Sequence, residues 1–379
     1  MKIHVKNAGL KALAHRHVRS IRAYEPGRPI EEVAREIGCE DLCWFDKLAS
    51  NENALGPSPQ AAQAMADAVH RMHRYPDGGA TQLKQVAAAH IGMDPANLLF
   101  TNGSNEAIEL LGHVFLSCQN GMVMSDRAFL IYRLVAELFD APVVSVPMRG
   151  FTHDLDAMLE AIRPETRLVF IANPNNPTGT MVDEEAIDRF IDRIPSHVVV
   201  VLDEAYIELV SPDLQPNTLR HVRDERPVYI LRTFSKAYGL AGLRIGYVIS
   251  TQEGIGLLER VRQPFNANAM AQAAAEAALG DDHFLNQTRT LTRQGLQYLG
   301  EQLDAMGIDS VPSVANFVLI KIKNGRDAFH RLQRKGMIVR PMDGYGMADH
   351  VRVTVGTSEQ NERFILALKE MLEARPERG

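Results

Sequence analysis

From residue 97 onward, short apolar runs alternate with stretches of helical periodicity. The runs at 97–101, 121–124, 142–146, 167–171, 198–202, 227–231 and 244–249 predict strands. Several are continuous rather than alternating, most clearly Val198 to Leu202, as strands buried on both faces are. Asp183 to Ile194 carries a helical repeat and stops at Pro195. Ser58 and Pro59 open a helix over Gln60 to Arg74, serine at the N-cap and proline at the first helical position. Alternation of strands and helices predicts an α/β domain around a mostly parallel, seven-stranded sheet. Residues 265–310 then turn helical and alanine-rich. Ala315 to Ile322 and Val351 to Val355 alternate apolar and polar, as half-exposed strands do, with helices expected near 326–335 and 358–373. This is the texture of a second, smaller α+β lobe. The expected division is an arm at 1–47 with one helix near Pro29 to Ile37, adding to the small lobe; a large domain at 48–282; and a small domain at 283–379.

Ligands of such sheets bind at the carboxyl ends of the strands, so the residues that follow each strand matter most. After 97–101 comes Asn102-Gly103-Ser104, opening a helix whose N-terminal N–H groups can face an anion; a plain N-cap is the commoner use of such a turn. After 167–171 comes Asn173-Pro174-Asn175-Asn176-Pro177-Thr178-Gly179, a rigid loop dense in amide side chains. After 198–202 comes Asp203-Glu204-Ala205-Tyr206. A carboxylate there needs a cationic or hydrogen-bonding partner, whether a core salt bridge or a protonated ring nitrogen. After 227–231 comes Arg232-Thr233-Phe234-Ser235-Lys236, with Arg244 eight positions past the lysine. Burial favours the neutral amine of a lysine, which can attack a carbonyl, and hydroxyls with an arginine suit a phosphate. Each feature alone has a bland reading as a cap, a turn, a salt bridge or a surface lysine. Their coincidence at successive strand ends points to one site.

Charge and cysteine content narrow the classes. A net charge of −6 argues against non-specific binding to nucleic acid or anionic membranes. No apolar run approaches the roughly 20 residues of a membrane helix. Cys39, Cys43 and Cys118 are odd in number and form no CxxC pair, which fits a reducing cytoplasm. The first 24 residues carry Lys2, Lys6, Lys11, Arg16, Arg19 and Arg22 without an acid, and read as a solvated arm lying on a partner subunit.

Taken together, the motifs resemble those of the fold-type I pyridoxal phosphate (PLP)-dependent aminotransferases, in their histidinol-phosphate aminotransferase branch. The motifs that carry the resemblance are Leu48 to Asn53, Tyr75 to Gly79, Asn102 to Ser104, Asn173 to Gly179, Asp203 to Tyr206, the lysine stretch, Arg262 to Asn266, Arg340 to Met342 and Val351 to Thr357. They occur in family order along nearly the whole chain. The resemblance implies that Lys236 carries the cofactor covalently and then serves as the base. It implies that Asp203 pairs with the pyridinium nitrogen, that Tyr206 and Asn176 bond the phenolic oxygen, and that Tyr132 stacks on the ring. Gly103, Ser104, Thr233, Ser235 and Arg244 would hold the cofactor phosphate. Tyr75 would reach that phosphate from the neighbouring subunit, making the active unit a homodimer with shared sites. Arg352 would clamp the substrate carboxylate, and Tyr24 and Asn51 are substrate-pocket positions. Two departures stand out: Ala54 replaces a usual proline, and Asp126 to Phe129 lacks the proline that often precedes the stacking tyrosine.

The implied reaction is amino transfer between L-glutamate/2-oxoglutarate and histidinol phosphate or its oxo counterpart, in histidine biosynthesis. The alternatives are an aromatic amino acid aminotransferase, a PLP-dependent decarboxylase of a phosphorylated amino acid, and a PLP-dependent transcription regulator. The last is disfavoured by acidic charge and by the mere 47 or so residues ahead of the core motifs.

Overall fold

The computed structural model describes residues 9–23 and 27–373; Tyr24 and the first eight residues lie outside that set. Thirteen strands are β1 (Asp46–Lys47), β2 (Leu98–Thr101), β3 (Gly121–Ser125), β4 (Val143–Val146), β5 (Thr166–Ala172), β6 (Val199–Asp203), β7 (Val228–Thr233), β8 (Gly246–Ile249), β9 (Ser310–Val311), β10 (Phe317–Lys321), β11 (Met337–Ile338), β12 (Arg340–Pro341) and β13 (His350–Thr354). The large lobe is built on a seven-stranded sheet in the order β2-β8-β7-β6-β5-β3-β4. Its pairs are parallel except those of β8, which runs antiparallel to both β2 and β7. Parallel neighbours need a crossover helix. The β7–β8 connection has only a single turn of 3₁₀-helix, Ala241–Leu243, and folds straight back.

Continuous apolar strands bury both sheet faces. Val200, Leu202, Ile230 and Ile249 pack into one core, and Val201, Leu231, Val248 and Phe170 into the other. The small lobe has its own core, in which Val351, Val353 and Val355 pack with Phe364 and Leu368. Its four-stranded sheet has the order β12-β13-β10-β9.

Two segments join the lobes. β1 pairs in parallel with β11 of the small lobe. The chain then runs on between β11 and β13, where Leu48 N–H donates to Ile338 O and Leu48 O accepts from Thr354 N–H. By Asn53 it has reached the large lobe, with Asn53 Nδ2 donating to Ala237 O at 3.0 Å. The helix Asp282–Ala305 is the other bridge: Leu285 lies in the large-lobe core, Leu299 and Leu303 in the small-lobe core. The expected helix at 60–74 is shorter: it spans Pro59–Ala68 and tightens to a 3₁₀ turn at Val69–Arg71.

Candidate active site

The carboxyl ends of β5, β6 and β7 meet the β2–helix turn and the 48–53 crossover around one cavity of about 270 Å³. Ser104, Tyr132, Asn176, Asp203, Tyr206, Thr233, Ser235, Lys236, Arg244, Asn51 and Arg352 all line it. It therefore gathers most of the residues singled out in the sequence, from segments more than 300 positions apart.

Asp203 closes β6 and is 4% exposed. One carboxylate oxygen accepts from Tyr132 Oη at 2.6 Å and the other from Ala205 N–H at 3.2 Å. Among the described residues no Lys, Arg or His stands within ion-pair distance of it. Burial pushes its carboxyl up to about 6, against the pull of the Tyr132 bond. Lys236 is half-buried; its Nζ donates to Ser50 O at 3.2 Å and lies 5.8 Å from the Tyr206 ring centre. Burial first, and then the nearby Arg352 and Arg244 cations, lower its amine to about 8. Roughly a tenth of that amine is therefore neutral at pH 7, far more than for an ordinary lysine, as an attacking group or base requires.

An anion cradle lies beside them. Gly103 precedes the helix Ser104–Phe115 with φ 77°. A Cβ there would stand 2.5 Å from Arg244 Nη2, so only glycine lets the guanidinium lie against the turn. Arg244 Nη1 donates to Ser235 Oγ at 3.4 Å, and Thr233 Oγ1 donates to the same oxygen at 3.0 Å. Two hydroxyls, one guanidinium and the free N–H groups of a twelve-residue helix form a donor set for a phosphate.

At the small-lobe side, Arg352 is buried rather than solvent-facing. It donates to Ala49 O at 2.6 Å and to Asn176 Oδ1, with its guanidinium carbon 5.2 Å from the Phe317 ring centre. Its strand partner across β12–β13 is Arg340, which lines the same cavity. Tyr206 Oη accepts from Asn51 Nδ2 at 2.8 Å.

Two expectations change. Tyr132 has no open ring face for stacking on a ligand. It is 0% exposed, stacks on Phe170 with ring centres 4.5 Å apart and meets Phe129 edge to face at 5.7 Å. Phe129, at the N-cap of the helix Leu130–Leu138, lines the cavity and is left partly open, as is Tyr345. Helical spacing was the available signal, since Tyr132, Val135 and Ala136 share the buried face. Asn51 reaches the cavity, but its amide is engaged within the protein: Nδ2 on Tyr206 and Oδ1 with Thr354 Oγ1 at 3.2 Å. Tyr75, expected to serve a neighbouring subunit, does not line its own chain's cavity; it is 82% exposed and stacked on Phe265 at 4.7 Å.

A family model for aminotransferase class I and II matches residues 46–368. The chain is a class I and II aminotransferase. It is 47% identical over 355 residues to a histidinol-phosphate aminotransferase of Moorella thermoacetica, covering 93% of this chain and 91% of that protein. It is 46% identical over 367 residues to a histidinol-phosphate aminotransferase 1 of Thiobacillus denitrificans, covering 97% and 95%. In three dimensions it is similar to the Sinorhizobium meliloti histidinol-phosphate aminotransferase solved with pyridoxal-5′-phosphate. The TM-score is 0.85 at 26% identity, over 94% of this chain and 96% of that one.

Aminotransferases of this family depend on PLP. The donor set here fits that group. A buried carboxylate held only by neutral donors suits a protonated ring nitrogen. The Gly103–Arg244 turn suits the phosphate, and a lysine with a lowered amine suits the aldehyde.

Proposed function

We propose that this aminotransferase moves an amino group between histidinol phosphate and 2-oxoglutarate, in histidine biosynthesis. One observation carries the substrate reading: Arg352 and Arg340 stand directly opposite one another in the β12–β13 pair, and both line the cavity. An enzyme that shuttles between two substrates must read both in one place. Glutamate presents a carboxylate beside its amine-bearing carbon, and histidinol phosphate presents a phosphate ester there. Guanidinium groups bind either anion through paired N–H donors. The relatives' names support the same substrate.

Bound PLP supplies an aldehyde and an electron-accepting ring. Asp203 keeps the ring nitrogen protonated, and Tyr206 and Asn176 bond its phenolic oxygen. Gly103, Ser104, Thr233, Ser235 and Arg244 hold its phosphate, and Phe129 covers a ring face. Lys236 Nζ takes the proton from the amine-bearing carbon of the substrate. The exposed Tyr75–Phe265 pair supports a homodimer in which Tyr75 serves the partner's phosphate site. Three free cysteines and the biosynthetic role support a cytoplasmic location.

The test is a panel of amino donors with 2-oxoglutarate. Histidinol phosphate should exceed phenylalanine and tyrosine in kcat/KM by at least about tenfold, the effect of the second negative charge that its phosphate sets against Arg340 beside Arg352, with no CO₂ released. Lys236→Ala should abolish transfer. Preference for phenylalanine would overturn the substrate, and CO₂ release the reaction class.

A further inference from the structure

We propose that Tyr132 is a positioning residue that acts through Asp203. Its hydroxyl fixes one carboxylate oxygen and thereby aims the other at the ring nitrogen. This deepens the reading above and rests on it.

Three observations support the assignment. The Tyr132 Oη to Asp203 Oδ2 separation is 2.6 Å, in the range of a charge-assisted O–H···O⁻ bond. The ring is clamped, stacked on Phe170 and edged by Phe129, so the hydroxyl has one place to point. The phenol is held well above its ordinary range by burial and by Asp203 itself, so it stays protonated and serves only as a donor. The remaining carboxylate oxygen has only the longer 3.2 Å contact from Ala205 N–H, which leaves room for a stronger donor. A tyrosine that merely covered a ring would need its face, not its hydroxyl. Here the face is occupied and the hydroxyl is engaged.

Tyr132→Phe separates the two roles, because it keeps the ring and removes only the Oη. The loaded enzyme is compared with wild type using PLP labelled with nitrogen-15 at the ring nitrogen. The variant's nitrogen signal should move from the pyridinium position toward that of neutral pyridine. Its Kd for PLP should rise about tenfold, the effect of one hydrogen bond to a charged group. kcat should fall by a similar factor with KM little changed. In an Asp203→Asn background the same substitution should add almost nothing, since the two residues act as one unit. An unchanged nitrogen signal and Kd in Tyr132→Phe would overturn the proposal, as would additive effects in the double variant. A wild type that binds PLP yet transfers no amino group to 2-oxoglutarate would sink the substrate reading alone; the nitrogen signal would still decide Tyr132. Should Tyr132→Phe fold poorly, 3-fluorotyrosine at this position, a stronger hydrogen-bond donor, should move the signal the opposite way. No movement there would overturn the proposal equally.

Discussion

Asp203 and Glu204 are neighbours in sequence, both carboxylates and both buried, yet the fold treats them oppositely. Alternation at the end of β6 turns them to different faces of the sheet. Glu204 meets Arg232, whose Nε and Nη2 stand 2.9 and 2.8 Å from one oxygen, while Thr218 Oγ1 donates to the other. That is a buried carboxylate fully matched within the protein. Asp203 has only a phenol and one backbone N–H, and its carboxyl is pushed up to about 6. The protein sets a counter-charge in contact with the first, and against the second only the more distant Lys236. A buried charge without a cation is costly, and strong perturbation in a cleft marks a working group. The difference teaches that Glu204 is matched within the fold, whereas Asp203 is left for a partner from outside it, as the proposed function requires.

Substitutions should break the pair in opposite ways. The largest effect belongs to Asp203→Asn, which leaves the ring nitrogen without its anion. kcat for amino transfer should fall by about 10³ or more, in the range seen when a key electrostatic group is removed. Glu204→Gln should leave activity per folded molecule near normal. Stability should drop by about 3 kcal/mol, because Arg232 loses its contacting carboxylate at a largely buried site; denaturant midpoints measure this. Arg352→Lys keeps the charge but loses the planar fork. kcat/KM for histidinol phosphate and for glutamate should fall together by about 10- to 100-fold, one to two bidentate contacts. A loss confined to one substrate would break the shared-anion reading. The smallest effect is on pH. With the Lys236 amine lowered to about 8, the rate at which the apo chain captures PLP should rise about tenfold per pH unit below 8 and level off above it. Capture that kept rising to pH 10 would contradict the lowered amine.

The strand ends were readable because they follow a local rule. An apolar run predicts a strand, and the next few residues lie at its carboxyl end, so Asn176, Asp203, Thr233 and Lys236 fell into place without knowledge of packing. Alternation along 351–355 also sets Arg352 on the face opposite Val351, Val353 and Val355, and those valines do pack in the small-lobe core. What period alone did not reveal was partnership. The tie of Asn51 to Tyr206 and Thr354 joins positions 155 and 303 residues apart. Which of Phe129 and Tyr132 keeps a ring partly open to the cavity turns on which is packed against Phe170. The antiparallel β8 and the passage of 48–53 between β11 and β13 likewise depend on contacts far apart in the chain.

The central claim is that Asp203 is kept as a destabilising anion so that it can hold a cation brought by the cofactor. Thermal unfolding of wild type and Asp203→Asn, each without and with saturating PLP, tests it most directly. The raised carboxyl makes the folded apo chain bind more protons than the unfolded chain between about pH 4 and 6, so ionisation there lowers stability. Apo Asp203→Asn should therefore match wild type below pH 4. Above pH 6 it should be more stable by about 3 kcal/mol, a few degrees in Tm, and it should gain less from PLP than wild type does. An apo variant that melts below wild type at pH 8 and gains as much from PLP would contradict the account.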